Sequence, residues 1–393
     1  EAIQQLNERY RKVPGSLGDG NGVDVELEFA LAVRDPSGNC TNGIVRVDMT
    51  GNATYMASGV FRQSAGITDA SLKATSVWNQ TEYYNIWIVS EIDNNNGGAG
   101  IQGYAFFATA HGASVDGAVI LVSNFKDASS TTGVHELGHA FNLYHTFEGD
   151  ANGTTCPTNS NCNTQGDRVC DTPPHIRSPY NCTIGTNACD GGSSEALHKH
   201  NYMDYSSDNC QDEFTAGQKV RVIAAMTSLR SSFLASNGNM SLVPPVAPIT
   251  AFNSSSNFVC SGDLIQFYDM SSCTPNTYLD TTNWPGITFG WTFTNGTNTY
   301  TSNLQNPIMN FPVSGVYDVA LTVSNAFGSD THTEYGYVVI GPSPTAACTP
   351  GSNNVGNFAN TVNNVEFNTI NNSTSSLTNN AYKIGRASCR ERV

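Results

Sequence analysis

A short histidine-rich segment could bind a metal ion. Residues 135–139 read His-Glu-Leu-Gly-His, and another histidine follows at position 145. Residues four apart lie on the same face of a helix, so the imidazoles of His135 and His139 can bind one Zn²⁺ together. In this motif the glutamate, Glu136, is the general base that accepts a proton from a zinc-bound water. The pattern therefore predicts a hydrolytic zinc site with His145 as the third ligand.

The third histidine determines where the helix must end. His145 lies six residues after His139, and a straight helix would place it about 9 Å further along the axis. The chain must therefore leave the helix between these two residues. Three nitrogen ligands leave one position for water and substrate, which disfavours a purely structural zinc site, since such sites usually have four protein ligands.

Composition and charge exclude several classes of protein. The 393 residues include 18 Lys+Arg and 33 Asp+Glu, which gives a net charge of −15. Nucleic-acid binders and proteins that adhere to anionic membranes need excess basic charge, so we expect neither partner. No apolar stretch approaches the ~20 residues of a membrane span. Eleven cysteines and only 13% charged residues favour a secreted protein, whose signal and pro-segment we expect upstream of residue 1.

Residues 1–240 are predicted to form one α+β domain that positions the histidines. Helices and strands are mixed here rather than alternating regularly, which favours α+β. Predicted helices are 1–13, 130–141 and 216–235, and strand-like segments are 23–33, 83–89, 104–108 and 118–122. A cysteine-rich loop covers 148–195.

The rest of the chain has a different pattern. A proline-rich linker is predicted at 241–248, and short alternating strands between turn residues at 249–341 predict a β-sandwich. Residues 342–383 fit either the truncated start of a further β-domain or a disordered polar tail. Residues 384–393 resemble the translation of a sequencing adapter, the alternative being a natural basic tail.

Residues 135–145 resemble the zinc signature of the metzincin proteases, with Asn142 where the signature has glycine. The family has a left-handed residue there that turns the chain back towards the metal, and asparagine is the best replacement for glycine in that conformation. The segment 201–205, Asn-Tyr-Met-Asp-Tyr, resembles the family's Met-turn. The resemblance implies that Met203 forms an apolar floor under the imidazoles and that Tyr205 donates a hydrogen bond to the developing oxyanion.

Further segments resemble the pappalysin family of metzincins. They are His-Thr-Phe at 145–147, the segment 166–173 and His-Asn-Tyr-Met-Asp-Tyr at 200–205. The resemblance implies a secreted zinc endopeptidase that cleaves protein or peptide substrates in a cleft, with residues 104–108 as an edge strand beside the substrate. It also implies a structural calcium site at Asp167, Asp171 and Thr172. The alternative at these positions is a solvated, Asp-rich turn.

The cysteine spacing predicts disulfides rather than a zinc ribbon. Six cysteines lie in or near the loop, at positions 156, 162, 170, 182, 189 and 210. By resemblance to the pappalysins, the expected pairs are Cys182–Cys210 and Cys162–Cys189. Cys260–Cys273 is expected to lie within the β-sandwich.

The β-sandwich segment resembles the PKD-type immunoglobulin-like domain. The matching residues are Phe-Gly-Trp-Thr-Phe at 289–293 and Gly-Val-Tyr-Asp-Val-Ala-Leu-Thr-Val at 315–323. This resemblance implies a spacer or a module that binds a surface or polymer. The main alternative to a protease is therefore a non-catalytic secreted adhesin or polymer-binding protein with an inert protease fold. The presence of Glu136 argues against that alternative.

Overall fold

The computed structural model describes residues 2–234, 239–274 and 287–342, and the backbone of 364–367 and 370–373. The predictions for 384–393 and for most of 343–383 lie outside the described residues. The chain divides into two compact units. The first comprises Glu1–Ala251, Met270–Thr288 and Val323–Asp330, and the second comprises Phe252–Asp269, Phe289–Thr322 and Thr331–Val393.

The first unit contains both helices and strands, so the predicted α+β class is confirmed. Its helices are α1 (Ala2–Tyr10), α2 (Ala53–Ser58), α3 (Asp69–Lys73), α4 (Val122–Phe125), α5 (Thr132–Ala140), α6 (Ala196–His200) and α7 (Ala216–Ser228). Short 3₁₀ turns lie at Ala108–Ala110, Ala188–Asp190, Asp208–Cys210 and Ser231–Phe233. Its strands are β1 (Ile86–Val89), β2 (Gly103–Ala105), β3 (Ala118–Leu121), β4 (Thr186–Asn187) and β5 (Ser193–Ser194). None of the described helices is long and apolar enough to cross a membrane.

A three-stranded sheet supports the zinc-motif helix. Its order is β1-β3-β2, with β3 parallel to β1 and antiparallel to β2. The central strand β3 is a run of four apolar residues, all buried, because the strand is covered on both faces. Strand β2 is the sheet's edge, and α5 packs against β2 and β3.

The main core surrounds α5, whose apolar residues face the packed interior. Val134 and Leu137 are buried together with Leu6 and Tyr10 of α1. The Tyr10 hydroxyl donates a hydrogen bond to the Val134 carbonyl at 3.0 Å, so this buried polar group is satisfied. Helix α1 therefore fixes the position of α5 from the side away from the sheet strands.

Two predictions of secondary structure in this unit differ most from the structure: one predicted strand does not form, and one predicted helix ends early. Residues 23–33 do not form a strand, although Val25 and Val33 are buried. Their backbone pairs elsewhere: Val25 donates to the Tyr10 carbonyl, and the Asn7 side chain bonds both the N–H and the carbonyl of Phe29. The alternating pattern thus reflects burial against α1 and not a sheet ladder. Helix α7 ends at Ser228, seven residues before the predicted end at 235.

The second unit consists of two antiparallel-rich sheets. The strands of these sheets are β6 (Phe252–Ser254), β7 (Phe258–Cys260), β8 (Leu264–Asp269), β9 (Thr288–Thr294), β10 (Thr299–Ser302), β11 (Ile308–Asn310), β12 (Gly315–Asn325) and β13 (Gly328–Gly341), of which Thr288 and the ends of β12 and β13 within Val323–Asp330 are grouped with the first unit. The sheet orders are β10-β9-β12-β13-β7 and β11-β8-β6. Side chains alternate between buried and less buried along β9 and β12, and Trp291, Phe293 and Phe267 contact one another in the interior. A further hairpin pairs β14 (Asn364–Phe367) with β15 (Ile370–Ser373).

The disulfides correct two predicted pairs. The described bonds are Cys40–Cys273, Cys156–Cys189, Cys162–Cys170 and Cys182–Cys210. Cys162–Cys189 is wrong because backbone hydrogen bonds to Asn161 turn the chain back, which brings Cys170 within 4.9 Å of Cys162 between Cα atoms. Cys260–Cys273 is wrong because Cys273 meets Cys40, 233 residues away, a contact that spacing cannot reveal. Cys182–Cys210 is the pair that the resemblance implied.

Candidate active site

The three predicted histidine ligands converge on one point. The Nε2 atom of His145 lies 3.1 Å from that of His139 and 3.2 Å from that of His135. Within the described residues, this is the one group of three or more His, Cys, Asp or Glu side chains close enough to hold a metal ion. The spacing of the motif and the turn after α5 therefore place all three ring nitrogens as the sequence predicts.

Hydrogen bonds set the ring orientation of two of these histidines. The Nδ1 atom of His135 lies 2.7 Å from the Tyr202 carbonyl, and that of His139 lies 2.8 Å from the Leu143 carbonyl. A carbonyl only accepts, so Nδ1 carries the proton and Nε2 keeps its lone pair. Burial lowers the pKa of His135 to about 3 and also lowers the pKa of His139 and of His145. Three neutral imidazoles with converging lone pairs fit Zn²⁺.

The turn after α5 brings His145 back to the other two histidines. Helix α5 ends at Ala140, and Asn142 has a φ of +75°, the left-handed conformation expected there. Two arginines bind the carbonyls at this helix end. Arg221 Nε donates to the Asn142 carbonyl at 2.6 Å, and Arg230 Nε donates to the Ala140 carbonyl at 2.8 Å. Sequence reasoning missed both arginines, because nothing in their local pattern distinguishes them from surface cations.

Arg221 should affect zinc affinity through this turn. Asparagine is more strained than glycine at positive φ, and the hydrogen bond from Arg221 holds Asn142 in that conformation. We expect Arg221→Met to weaken zinc binding by about tenfold, as is usual for groups that orient metal ligands. Competition with a chromophoric chelator measures the affinity directly.

The matched control for Arg221 is Arg168→Met. Both guanidinium groups stack on the Tyr144 ring, at 5.1 Å for Arg221 and 4.7 Å for Arg168, but the bond to Asn142 is made by Arg221. In an Asn142→Gly background, the loss caused by Arg221→Met should shrink, because glycine needs no support in the left-handed region. Equal zinc affinity in Arg221→Met and the unmodified protein would contradict this role.

Met203 lies directly beneath the histidine-bearing helix. It is fully buried, and a Cβ atom added at Gly138 would lie 2.4 Å from its sulfur. Glycine at 138 therefore permits the close approach of Met203 to α5. The Met203 N–H donates to the Asn201 side chain, which holds the turn in place. The structure thus puts Met203 where the Met-turn resemblance places a floor.

A buried amide pair connects the Met-turn to α7. Asn201 and Gln218 exchange two side-chain hydrogen bonds of 2.9 Å each, and both residues are almost fully buried. Gln218 also completes a capping box with Thr215 at the start of α7. The N-terminal turn of α7 therefore fixes the Met-turn, while the middle of the helix supplies Arg221 to the turn after α5.

Glu136 lies between α5 and the edge strand β2. A Cβ atom at Gly103 would come within 3.0 Å of the Glu136 side chain, so the absence of a side chain at 103 makes room for it. Burial raises the pKa of Glu136 to about 8, against the opposing effects of the Arg62 charge and a hydrogen bond from the Ala105 backbone. A carboxyl group whose pKa is raised by burial is a recurrent feature of groups that transfer protons.

Tyr205 is beside the histidines and partly open to solvent. Its ring centroid lies 4.9 Å from that of His145 and 4.8 Å from that of Phe147, and 43% of the residue is exposed. Burial raises the pKa of its hydroxyl, so the group keeps its proton at neutral pH and can donate a hydrogen bond.

The histidines, Glu136 and Tyr205 all line one cavity of about 770 Å³. Its walls come from the edge strand β2 on one side and from the Met-turn and its neighbours on the other, including Tyr180, Asp208 and Gln211. This volume lies in the usual range for ligand sites. The site is therefore an open cleft that can admit an extended chain segment.

The candidate calcium residues divide into two groups. Asp167 is buried and accepts a hydrogen bond from the Thr172 hydroxyl at 2.6 Å. The carboxylate of Asp171 instead bonds the Thr215 hydroxyl at 2.8 Å and the Gly217 N–H at 2.7 Å. An anion at a helix N-terminus stabilises the helix, so Asp171 caps α7 in this structure. Calcium stays a prediction.

Three neutral imidazoles that converge in an open cleft, next to a buried glutamate, define the site as that of a metalloprotease-type protein. Residues 66–227 match the family profile of the M43 peptidases, described as pregnancy-associated plasma protein-A. This match confirms, over residues 66–227, the resemblance to the pappalysin family that the sequence predicts.

Several curated relatives are named extracellular metalloproteases. The chain is 36% identical over 157 residues to an extracellular metalloprotease of Pyricularia oryzae, covering 37% of this chain and 49% of that protein. It is 36% identical over 143 residues to extracellular metalloprotease 1 of Coccidioides posadasii, covering 34% and 47%. An extracellular metalloprotease of Arthroderma otae is 27% identical over 236 residues, 56% of this chain and 78% of that protein. The chain thus spans about half the length of the first two relatives.

Two solved structures are similar to part of the chain. One is the PKD1 domain of Vibrio anguillarum Epp, with 23% identity, covering 24% of this chain and 95% of that one, at a TM-score of 0.17. The other is the PKD1 domain of the Vibrio cholerae metalloprotease PrtV, with 27% identity, covering 24% and 99%, also at 0.17. TM-scores this low do not support an assignment of fold, so the PKD-like sandwich stays a prediction.

Proposed function

We propose that the protein is a secreted zinc endopeptidase that hydrolyses peptide bonds of protein substrates. The observation that carries this proposal is that the Nε2 atoms of His135 and His139 lie within 3.2 Å of His145 Nε2, in a cleft that Glu136 and Tyr205 also line. The relatives named as extracellular metalloproteases support both the reaction and the location outside the cell.

Each side chain has a role that follows from its position. His135, His139 and His145 would hold Zn²⁺, which when bound supplies a Lewis acid and an activated water. Glu136 accepts the proton of the attacking water and delivers it to the leaving amine. Tyr205 donates a hydrogen bond to the oxyanion. The unpaired edge of β2 aligns the substrate backbone as an additional strand.

A separate proposal concerns the domains of the chain and its structural calcium. We propose a catalytic domain at 1–240, a linker at 241–248 and a PKD-like domain at 249–341 that acts as a spacer or binds a surface or polymer. Structural calcium is proposed at Asp167 and Thr172, with Asp171 engaged at α7. A non-catalytic adhesin with an inert protease fold is the competing function, and no contact in the cleft favours it.

Metal removal tests the proposed reaction. The full chain should cleave casein, and dialysis against a zinc chelator should abolish cleavage because the three histidines lose their ion. Addition of Zn²⁺, but not of Ca²⁺ alone, should restore it. Activity is measured by release of acid-soluble peptides. Cleavage that survives complete zinc removal would refute the zinc mechanism, and no cleavage by the zinc-loaded chain would favour the adhesin.

A further inference from the structure

Among the described residues, one cationic side chain at the wall of the cleft makes neither an ion pair nor a hydrogen bond. Arg62 lines the cavity, and among its described lining residues it is the one Lys or Arg. In the described part of the chain, no carboxylate lies within 4.0 Å of its guanidinium and no acceptor receives a hydrogen bond from it. A guanidinium has five N–H donors in a fixed planar arrangement, so these donors are available to a ligand.

The loop that carries Arg62 is held rigidly. The backbone N–H groups of Arg62, Ser64 and Ala65 donate to Asp93 Oδ1 at 3.0, 2.9 and 3.0 Å, and that of Gln63 donates to Oδ2 at 2.8 Å. One carboxylate therefore binds four consecutive amides. Such a cluster restricts the backbone before any ligand arrives, which lowers the entropy that binding must overcome.

The side chain of Arg62 is also positioned close to the catalytic residues. Its guanidinium stacks over the Tyr104 ring at 4.6 Å from the centroid. Tyr104 is the middle residue of β2, between Gly103, which packs against Glu136, and Ala105, whose N–H bonds Glu136. Stacking leaves the edge N–H groups of the guanidinium free, so they can bind a carboxylate bidentately.

We propose that Arg62 forms a carboxylate-binding subsite, and that the enzyme prefers substrates with an aspartate or glutamate close to the cleaved bond. This inference rests on the proposed function, because it assigns the substrate class of the same cleft. The acidic side chains that line the cavity, including Glu148 and Asp208, would repel a carboxylate, so the preference should be confined to the substrate position that reaches Arg62.

A peptide panel tests the proposal with the full chain. One cleavable peptide is varied so that each position near the cleaved bond carries Glu, Gln or Lys in turn. At one position, kcat/KM for Glu should exceed that for Gln by about tenfold, the size expected for a hydrogen bond to a charged group. The ratio should fall towards one in Arg62→Gln and as ionic strength rises, and Arg62→Glu should favour Lys instead.

The control variant is Arg46→Gln, because Arg46 is exposed and lies outside the cavity. This variant should leave the Glu-to-Gln ratio of kcat/KM unchanged. Dissociation constants of the same peptides for the Glu136→Gln variant provide a second readout that needs no turnover. An unchanged Glu-to-Gln ratio in Arg62→Gln, in both kcat/KM and binding, would overturn the subsite. If no peptide is cleaved but binding still depends on Arg62, the subsite stands and the proposed reaction fails.

Discussion

Replacing Glu136 by glutamine should lower kcat/KM for peptide hydrolysis by about 10²–10⁴-fold, the usual contribution of general acid–base catalysis. Glutamine has almost the same shape and fits the space beside Gly103, but it cannot accept the proton of the attacking water. Zinc affinity should change little, because the carboxylate is not one of the three converging ligands. Fluorogenic-peptide kinetics and chelator competition measure the two quantities separately.

Glu91→Gln is the matched control for Glu136→Gln. Glu91 is partly buried but lies outside the cavity lining, so the same chemical change there should leave kcat/KM within about twofold. If Glu136→Gln retained nearly full activity with zinc bound, proton transfer by this residue would be excluded. A loss of both activity and zinc would instead indicate that Glu136 supports the metal site.

Removal of Arg230 should cause the largest loss of stability. Its side chain is fully buried and forms two hydrogen bonds to Asp116, of 2.7 and 2.8 Å, besides the bond to Ala140 at the end of α5. In Arg230→Met, Asp116 would remain buried without its partner charge. We therefore expect a decrease of about 3–5 kcal/mol in the free energy of unfolding, the usual result of breaking a buried ion pair from one side. Urea denaturation followed by circular dichroism measures it.

A double variant separates the ion pair from the packing. Arg230→Met combined with Asp116→Leu removes both charges, and it should be more stable than Arg230→Met alone, because no unpaired buried charge remains. Arg46→Met is the surface control and should stay within about 0.5 kcal/mol of the unmodified protein. If Arg230→Met lowered the free energy of unfolding by less than about 1 kcal/mol, the ion pair between Arg230 and Asp116 would contribute little to stability.

The sequence predicted those features of the site that depend on the spacing between residues close together in the chain. The four-residue interval between His135 and His139 fixes their common helix face, and the six-residue interval to His145 requires a turn. Asn142 at a φ of +75° lies within that interval. The buried strand 118–121 and the helix around 132–140 were also readable, because a continuous apolar run and helical periodicity are local signals.

Long-range contacts account for what the sequence did not reveal. Cys273 meets Cys40 across 233 residues, and the alternation in 23–33 results from packing against α1 rather than from a sheet. Arg221 and Arg230 lie about 80 and 90 positions after the carbonyls that they bind. Such partners are selected by proximity in space, for which neither periodicity nor composition provides a signal.

The sequence by itself thus predicted the three converging histidines and the adjacent glutamate, since helical periodicity places nearby side chains relative to one another, and its resemblance to a known family predicted the class of protein. Only the tertiary structure decided which groups orient and surround them. The Tyr202 and Leu143 carbonyls direct the imidazoles, Gly138 admits Met203, and Arg62 faces the cleft. These features depend on how distant segments pack, because hydrogen bonding and close contact act through space and not along the chain.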